Sequence, residues 1–134
     1  MRDRLIVLDA DLPKRLLREL KGRGRTVQSV KHWELPDRKD PTILAYIAEN
    51  HPGAVLVTGD ERMPSAHEAA LRRAGTTLAT VDGRVPIWTN QDQWRRETVH
   101  RWAHLIVEQR PGTIRRYGET SRAWTRRRRR AASR

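Results

Sequence analysis

Leu5-Ile6-Val7-Leu8-Asp9-Ala10-Asp11, residues 5–11, decides the fold: an unbroken apolar run that ends in two acids. A short, wholly apolar run is the pattern of a strand buried on both faces, as in a parallel sheet. A carboxylate directly behind such a run is costly unless something answers its charge. Working outward, Asp11-Leu12-Pro13 opens a helical pattern over about 12–23. Leu12, Leu16, Leu17 and Leu20 stand at core spacing there, and Gly22 and Gly24 act as the stop.

The arrangement repeats at Ala54-Val55-Leu56-Val57-Thr58-Gly59-Asp60, read as a strand over 54–58 with an acid just past its end. Between the two runs lie a short strand at 26–30 and a polar connection containing Trp33 and Pro36. A helix follows, beginning at Asp40-Pro41 and carrying Ile43, Leu44, Ile47 and Ala48. Farther along, Ser65-Ala66-His67-Glu68 has the spacing of a capping box, with its helix running to Gly75. A fourth strand is expected over 76–81. A linker with Pro86 and Trp88 then leads to an amphipathic helix over 91–109, in which Trp94, Trp102 and Ile106 read as core; Pro111-Gly112 is its stop. This βαβαβαβα order predicts a three-layer α/β/α sandwich with a central, mainly parallel sheet over residues 1–110, followed by an Arg-rich tail over 111–134.

In such sheets ligands bind outside the carboxyl ends of the strands. Asp9 and Asp60 fall at two of those ends, and Asp40 and Asp11 each stand before a helix. Carboxylates gathered there repel one another unless a cation lies among them, and hard oxygen donors favour Mg²⁺ or Mn²⁺. The expected metal-binding and catalytic acids are therefore Asp9, Asp40 and Asp60. Asp11, Thr58 and Glu61 are supporting candidates, with the Thr58 hydroxyl placed to orient the Asp60 carboxylate. Helix capping is the structural alternative for Asp40 and Asp11, and a turn-forming Asp is the alternative for Asp60. Glu68 is accounted for as the partner of Ser65.

The 134 residues carry a formal charge of +12, and residues 111–134 hold nine arginines against one acid. A basic surface favours polyanions by releasing their counterions, which makes nucleic acid the expected partner. Arg122, Trp124, Arg126, Arg127, Arg128, Arg129 and Arg130 are the candidate contacts, the arginines for phosphates and the tryptophan for stacking a base. An acidic protein partner and a merely solvated tail are the alternatives. With no cysteine, disulfides and thiolate metal sites are excluded. No apolar stretch reaches the roughly 18 residues of a membrane span, so a soluble, cytoplasmic protein is expected. P-loop, dinucleotide-binding and nucleophile-elbow motifs are absent. Glu97, His100, His104 and Glu108 share a helical face, but the spacing is not that of a zinc protease, and a solvated face is the better reading.

Together, VLDADLPKRLLREL, KDPTILAYIAE and VLVTGDERMPSAHEAALRRAG resemble the PIN-like ribonucleases, and among them the toxins of VapC-type toxin–antitoxin pairs. The likeness covers about residues 4–82, and its most specific part is the T-G-D segment. It implies metal-dependent cleavage of RNA, with Asp9, Asp40 and Asp60 as the metal-binding acids, Thr58 as their hydroxyl companion, and a cognate antitoxin as partner. Homodimers or toxin–antitoxin hetero-oligomers are implied as well. Asp11 stands where many relatives have Asn, and Arg62 where some carry a further acid, with Glu61 as a neighbouring substitute. Response-regulator receivers share acids after their first and third strands but need a lysine after a fifth; the lysines here end at Lys39. The stronger alternative is a non-catalytic nucleic-acid- or protein-binding module with the same fold.

Overall fold

Apolar runs alternate with helical stretches along the chain, and each run becomes a strand that pairs in parallel with its neighbours. The computed structural model describes residues 4–81 and 85–118. Its elements are β1 (Ile6–Leu8), α1 (Arg15–Gly22), β2 (Val27–Ser29), α2 (Asp40–Asn50), β3 (Val55–Thr58), α3 (Met63–Ala66), α4 (Glu68–Ala74), β4 (Thr77–Val81), α5 (Gln91–Ile106) and β5 (Ile114–Tyr117), with a single 3-10 turn at Val30–His32 after β2. The five strands form one parallel sheet in the order β2-β1-β3-β4-β5.

Helices cover both faces, because the strand residues alternate between two apolar cores. On one face Ile6, Leu8, Val55 and Val57 pack against Leu16 and Leu20 of α1 and against Val99, Ala103 and Ile106 of α5. On the other, Val7, Leu56 and Leu78 meet Ile43, Leu44 and Ile47 of α2, together with Trp33, Met63 and Leu71. The strand order places the site. From β1 the chain crosses outward to β2, then returns past β1 to form β3 on its other side. That reversal opens a crevice between the carboxyl ends of β1 and β3, where such sheets bind ligands.

Two expectations change. The capping box at Ser65 does not form: Ser65 lies inside α3 and its hydroxyl donates to the Arg62 carbonyl (3.2 Å), while Glu68 pairs with Arg72 one turn along α4 (2.7 Å). His67, at φ −127° and ψ 34°, breaks what read as one helix into two short ones. The second change is β5, which sequence patterning did not mark as a strand. Its Tyr117 is fully buried and its hydroxyl donates to Gln109 Oε1 (3.0 Å); Gln109 Nε2 in turn donates to the carbonyls of Leu78 (2.8 Å) and Thr113 (2.9 Å). This buried relay fastens β5 to β4, so the sheet continues beyond residue 110. Among the described residues no helix is long and apolar enough to cross a membrane.

Candidate functional site

Parallel pairing of β1 with β3 sets Leu8 against Val57, so Asp9, just past the end of β1, stands beside Thr58, the last residue of β3. The Asp9 N–H still donates to the Val57 carbonyl (2.9 Å), which fixes the main chain at the crevice. Thr58, fully buried, donates its hydroxyl to Asp9 Oδ2 (2.7 Å), and the Thr58 Oγ1 itself accepts the Asp60 N–H (3.1 Å). One side chain thus joins the two acids across the switch point. Its carboxylate partner is Asp9 and not Asp60, a correction to the sequence expectation. Asp9 Oδ1 accepts the Ala10 N–H (2.8 Å), and Asp60 Oδ1 accepts the Arg62 N–H (2.9 Å), so each acid is held by local donors.

Asp11 and Asp40 do not cap helices. The N-cap of α1 is Lys14 and that of α2 is Lys39, neither with a side-chain cap. Asp11 reaches across to β3 instead and accepts the Gly59 N–H (3.2 Å). Asp40, the first residue of α2, meets His67 Nε2 at 3.0 Å. Burial raises the pKa of both acids. The neighbouring charge of Asp9 adds to this, as does that of Asp60 more weakly; the Gly59 N–H and Arg95 oppose it at Asp11, and His67 opposes it at Asp40. The charges of Asp9 and Asp60 therefore both act on Asp11 and on Asp40.

Glu61 is directed elsewhere: it pairs with Arg116 of β5 at 3.1 Å. Of the helical face read from the sequence, His100 pairs with Glu19 of α1 (3.2 Å), and Glu97 accepts from Gln93 (3.1 Å). Among the described residues, no three His, Asp or Glu side chains stand together as a ready-made metal site. Asp40 faces His67 and Asp11 faces Gly59, so an ion at the crevice would have to compete with His67 for Asp40. The donors themselves, carboxylate oxygens, are of the kind that suits a hard divalent cation.

Beside Asp9 a groove of about 630 Å³ runs between α1 and the end of β2. It is lined by the apolar Leu8, Leu12 and Leu17 and by the basic Lys14, Arg15, Arg18, Lys21, Lys31 and His32. Sequence reading counted these basic residues but could not gather them, since they come from two segments that only the β1–β2 pairing brings together. The sequence candidates Arg122, Trp124 and Arg126 to Arg130 lie outside the described residues. His67 and Arg95 are additions of the structure: neither is a site candidate in the sequence, and each reaches the site from a later part of the chain, His67 from the break between α3 and α4 and Arg95 from α5. No known protein family, characterised protein or solved structure matches this chain.

Proposed function

We propose that this chain is a metal-dependent endoribonuclease with a PIN-like fold, and that it acts as the toxin of a type II toxin–antitoxin pair. The observation that carries the reading is the Asp9–Thr58–Asp60 connection, which joins two acids across the switch point of a parallel sheet beside a basic groove. Asp9, Asp40 and Asp60 are the residues that would hold Mg²⁺ or Mn²⁺. An ion there would supply an activated water and positive charge for the departing oxyanion.

The chain's own residues have separable tasks. Thr58 orients the Asp9 carboxylate and fixes the Asp60 main chain, so that both acids keep their spacing when substrate enters. Lys14, Arg15, Arg18 and Lys31 bind backbone phosphates without reading sequence. The Arg-rich tail, Arg122 and Arg126 to Arg130 with Trp124, adds further phosphate and stacking contacts. A cognate antitoxin would cover Asp9 and Asp60, and assembly as a homodimer or a toxin–antitoxin hetero-oligomer belongs to the same proposal.

The test is cleavage of structured and unstructured RNA with Mg²⁺ or Mn²⁺, repeated in EDTA and with Asp60→Asn. Cleavage that needs both metal and Asp60 supports the reading; cleavage indifferent to either overturns it. The occupation of Asp40 by His67 favours a second reading, a binding module that does not cleave. That module would bind RNA through the same groove and leave it intact with every divalent ion.

A further inference from the structure

We propose that Arg95 is the resident counter-cation of the acid cluster: a fixed positive charge that balances Asp11, ties together the loops after β1 and β3, and leaves Asp9, Asp40 and Asp60 to the divalent ion. Only the part concerning the ion rests on the function proposed above.

Arg95 comes from the first turns of α5, yet its guanidinium lies between the two loops that carry the acids. Nη1 donates to the Asp11 main-chain carbonyl (3.2 Å) and stands 3.9 Å from Asp11 Oδ2; Nη2 donates to the Gly59 carbonyl (3.1 Å). The side chain is 11% exposed, and its Nε is buried with no hydrogen-bond partner among the described residues. Such a cation is costly unless nearby charge answers it, and Asp11 is the carboxylate beside it.

Gly59 explains how the charge gets in. A Cβ there would lie 2.4 Å from Arg95 Cζ and 2.4 Å from Nε. Gly59 is not among the glycines with positive φ, so the backbone does not require glycine at this position. What a Cβ would displace there is the guanidinium. The Gly in Thr58-Gly59-Asp60 is thus the seat of Arg95 as well as a turn between hydroxyl and acid. The same geometry divides the aspartates. Asp11 is committed to the Gly59 N–H and to Arg95, whereas Asp40 pairs with His67, and Asp9 and Asp60 are held by hydrogen-bond donors alone.

A fixed positive charge stabilises the acids when no ion is bound and repels an ion when one arrives. Both effects are measurable with Arg95→Gln, Gly59→Ala, Asp11→Asn and the double variant Arg95→Gln/Asp11→Asn. Each of the first three leaves a charge unanswered, whereas the double leaves neither. In EDTA, Arg95→Gln should lower the unfolding midpoint by roughly 5–10 °C, and adding Asp11→Asn should recover at least half of that loss. Gly59→Ala, which displaces the guanidinium while retaining it in the chain, should reproduce the Arg95→Gln phenotype. It also keeps the test open if Arg95→Gln fails to fold. Mn²⁺ titration should show tighter binding to Arg95→Gln or Gly59→Ala, by about five- to tenfold for the removal or displacement of one charge near a divalent ion.

A strut without an electrostatic role makes the opposite predictions. Additive effects of Arg95→Gln and Asp11→Asn in EDTA overturn the proposal, and so does unchanged or weaker Mn²⁺ binding in both Arg95→Gln and Gly59→Ala. Should the unaltered protein bind no Mn²⁺, the nuclease reading falls, while the thermal cycle in EDTA still decides whether Arg95 balances Asp11.

Discussion

Thr58→Val, compared with Thr58→Ser, isolates the hydroxyl that joins the two halves of the site. Valine keeps the volume of threonine at this fully buried position and removes the oxygen; serine keeps the oxygen and removes a methyl. The valine variant loses a 2.7 Å donation to the Asp9 carboxylate and leaves the Asp60 N–H, now 3.1 Å from its acceptor, without one. A hydrogen bond to a charged group contributes about 1.5–3 kcal/mol and a neutral one about 0.5–1.5. Asp9 is only half-buried, so water replaces part of the first, and a loss of roughly 2–3 kcal/mol is expected for valine. The serine variant forfeits one buried methyl, about 1 kcal/mol. At 134 residues, 1 kcal/mol moves the midpoint by roughly 3–5 °C, so thermal melts should separate valine from serine by several degrees. RNA cleavage should fall about 10–100-fold in Thr58→Val, as when a group orienting a metal ligand is removed, and stay within a few-fold in Thr58→Ser. A valine variant as stable and as active as the serine variant would refute the assignment of the hydroxyl as the link.

Asp9→Asn and Asp60→Asn should each abolish cleavage and leave the EDTA melting midpoint unchanged or a few degrees higher, because neutralising one of several crowded acids relieves repulsion; melts and cleavage on the same samples check this. Stability without metal should rise as pH falls from neutral. The folded pKa values of Asp11 and Asp40 are raised, so between those values and 3.8 the native state binds more protons than the unfolded one. Asp37, acidified first by the Thr42 hydroxyl, opposes this only below 3.8. Saturating Mg²⁺, which favours the ionised acids, should flatten or reverse the dependence in pH-resolved melts. Truncation for testing the tail belongs after Gly118, since β5 is part of the sheet. It should weaken RNA binding about equally for all sequences and reduce the log–log salt slope by about 0.7 for each phosphate that the shortened chain no longer neutralises, with cleavage at saturating RNA preserved. An unchanged slope would show that the tail arginines do not bind RNA.

The sequence carried the parallel sheet because Leu5–Leu8 and Ala54–Val57 are apolar without alternation, a pattern that only burial on both faces explains. It carried Asp9 and Asp60 for the same reason, since strand ends are where such runs stop. β5 escaped because an edge strand buries little: Ile114 and Arg116 stay exposed, and Ile-Arg-Arg-Tyr is indistinguishable from a basic tail until Tyr117 is seen packed inside. The partners of the acids escaped because they are set by long-range packing. Nothing in the local pattern at Asp40 announces His67, and nothing near Asp11 announces Arg95, 84 residues away. The capping reading of Ser65 and Glu68 used a correct rule at a place where His67 interrupts the helix.

Whether Asp9 and Asp60 hold a divalent ion at the switch point of the sheet is tested by Mn²⁺ titration followed by electron paramagnetic resonance, which needs no assumption about substrate. Mn²⁺ should bind saturably, be displaced by Mg²⁺, and fail to bind in Asp9→Asn and in Asp60→Asn. Absence of saturable binding, or binding that survives in both variants, would contradict it.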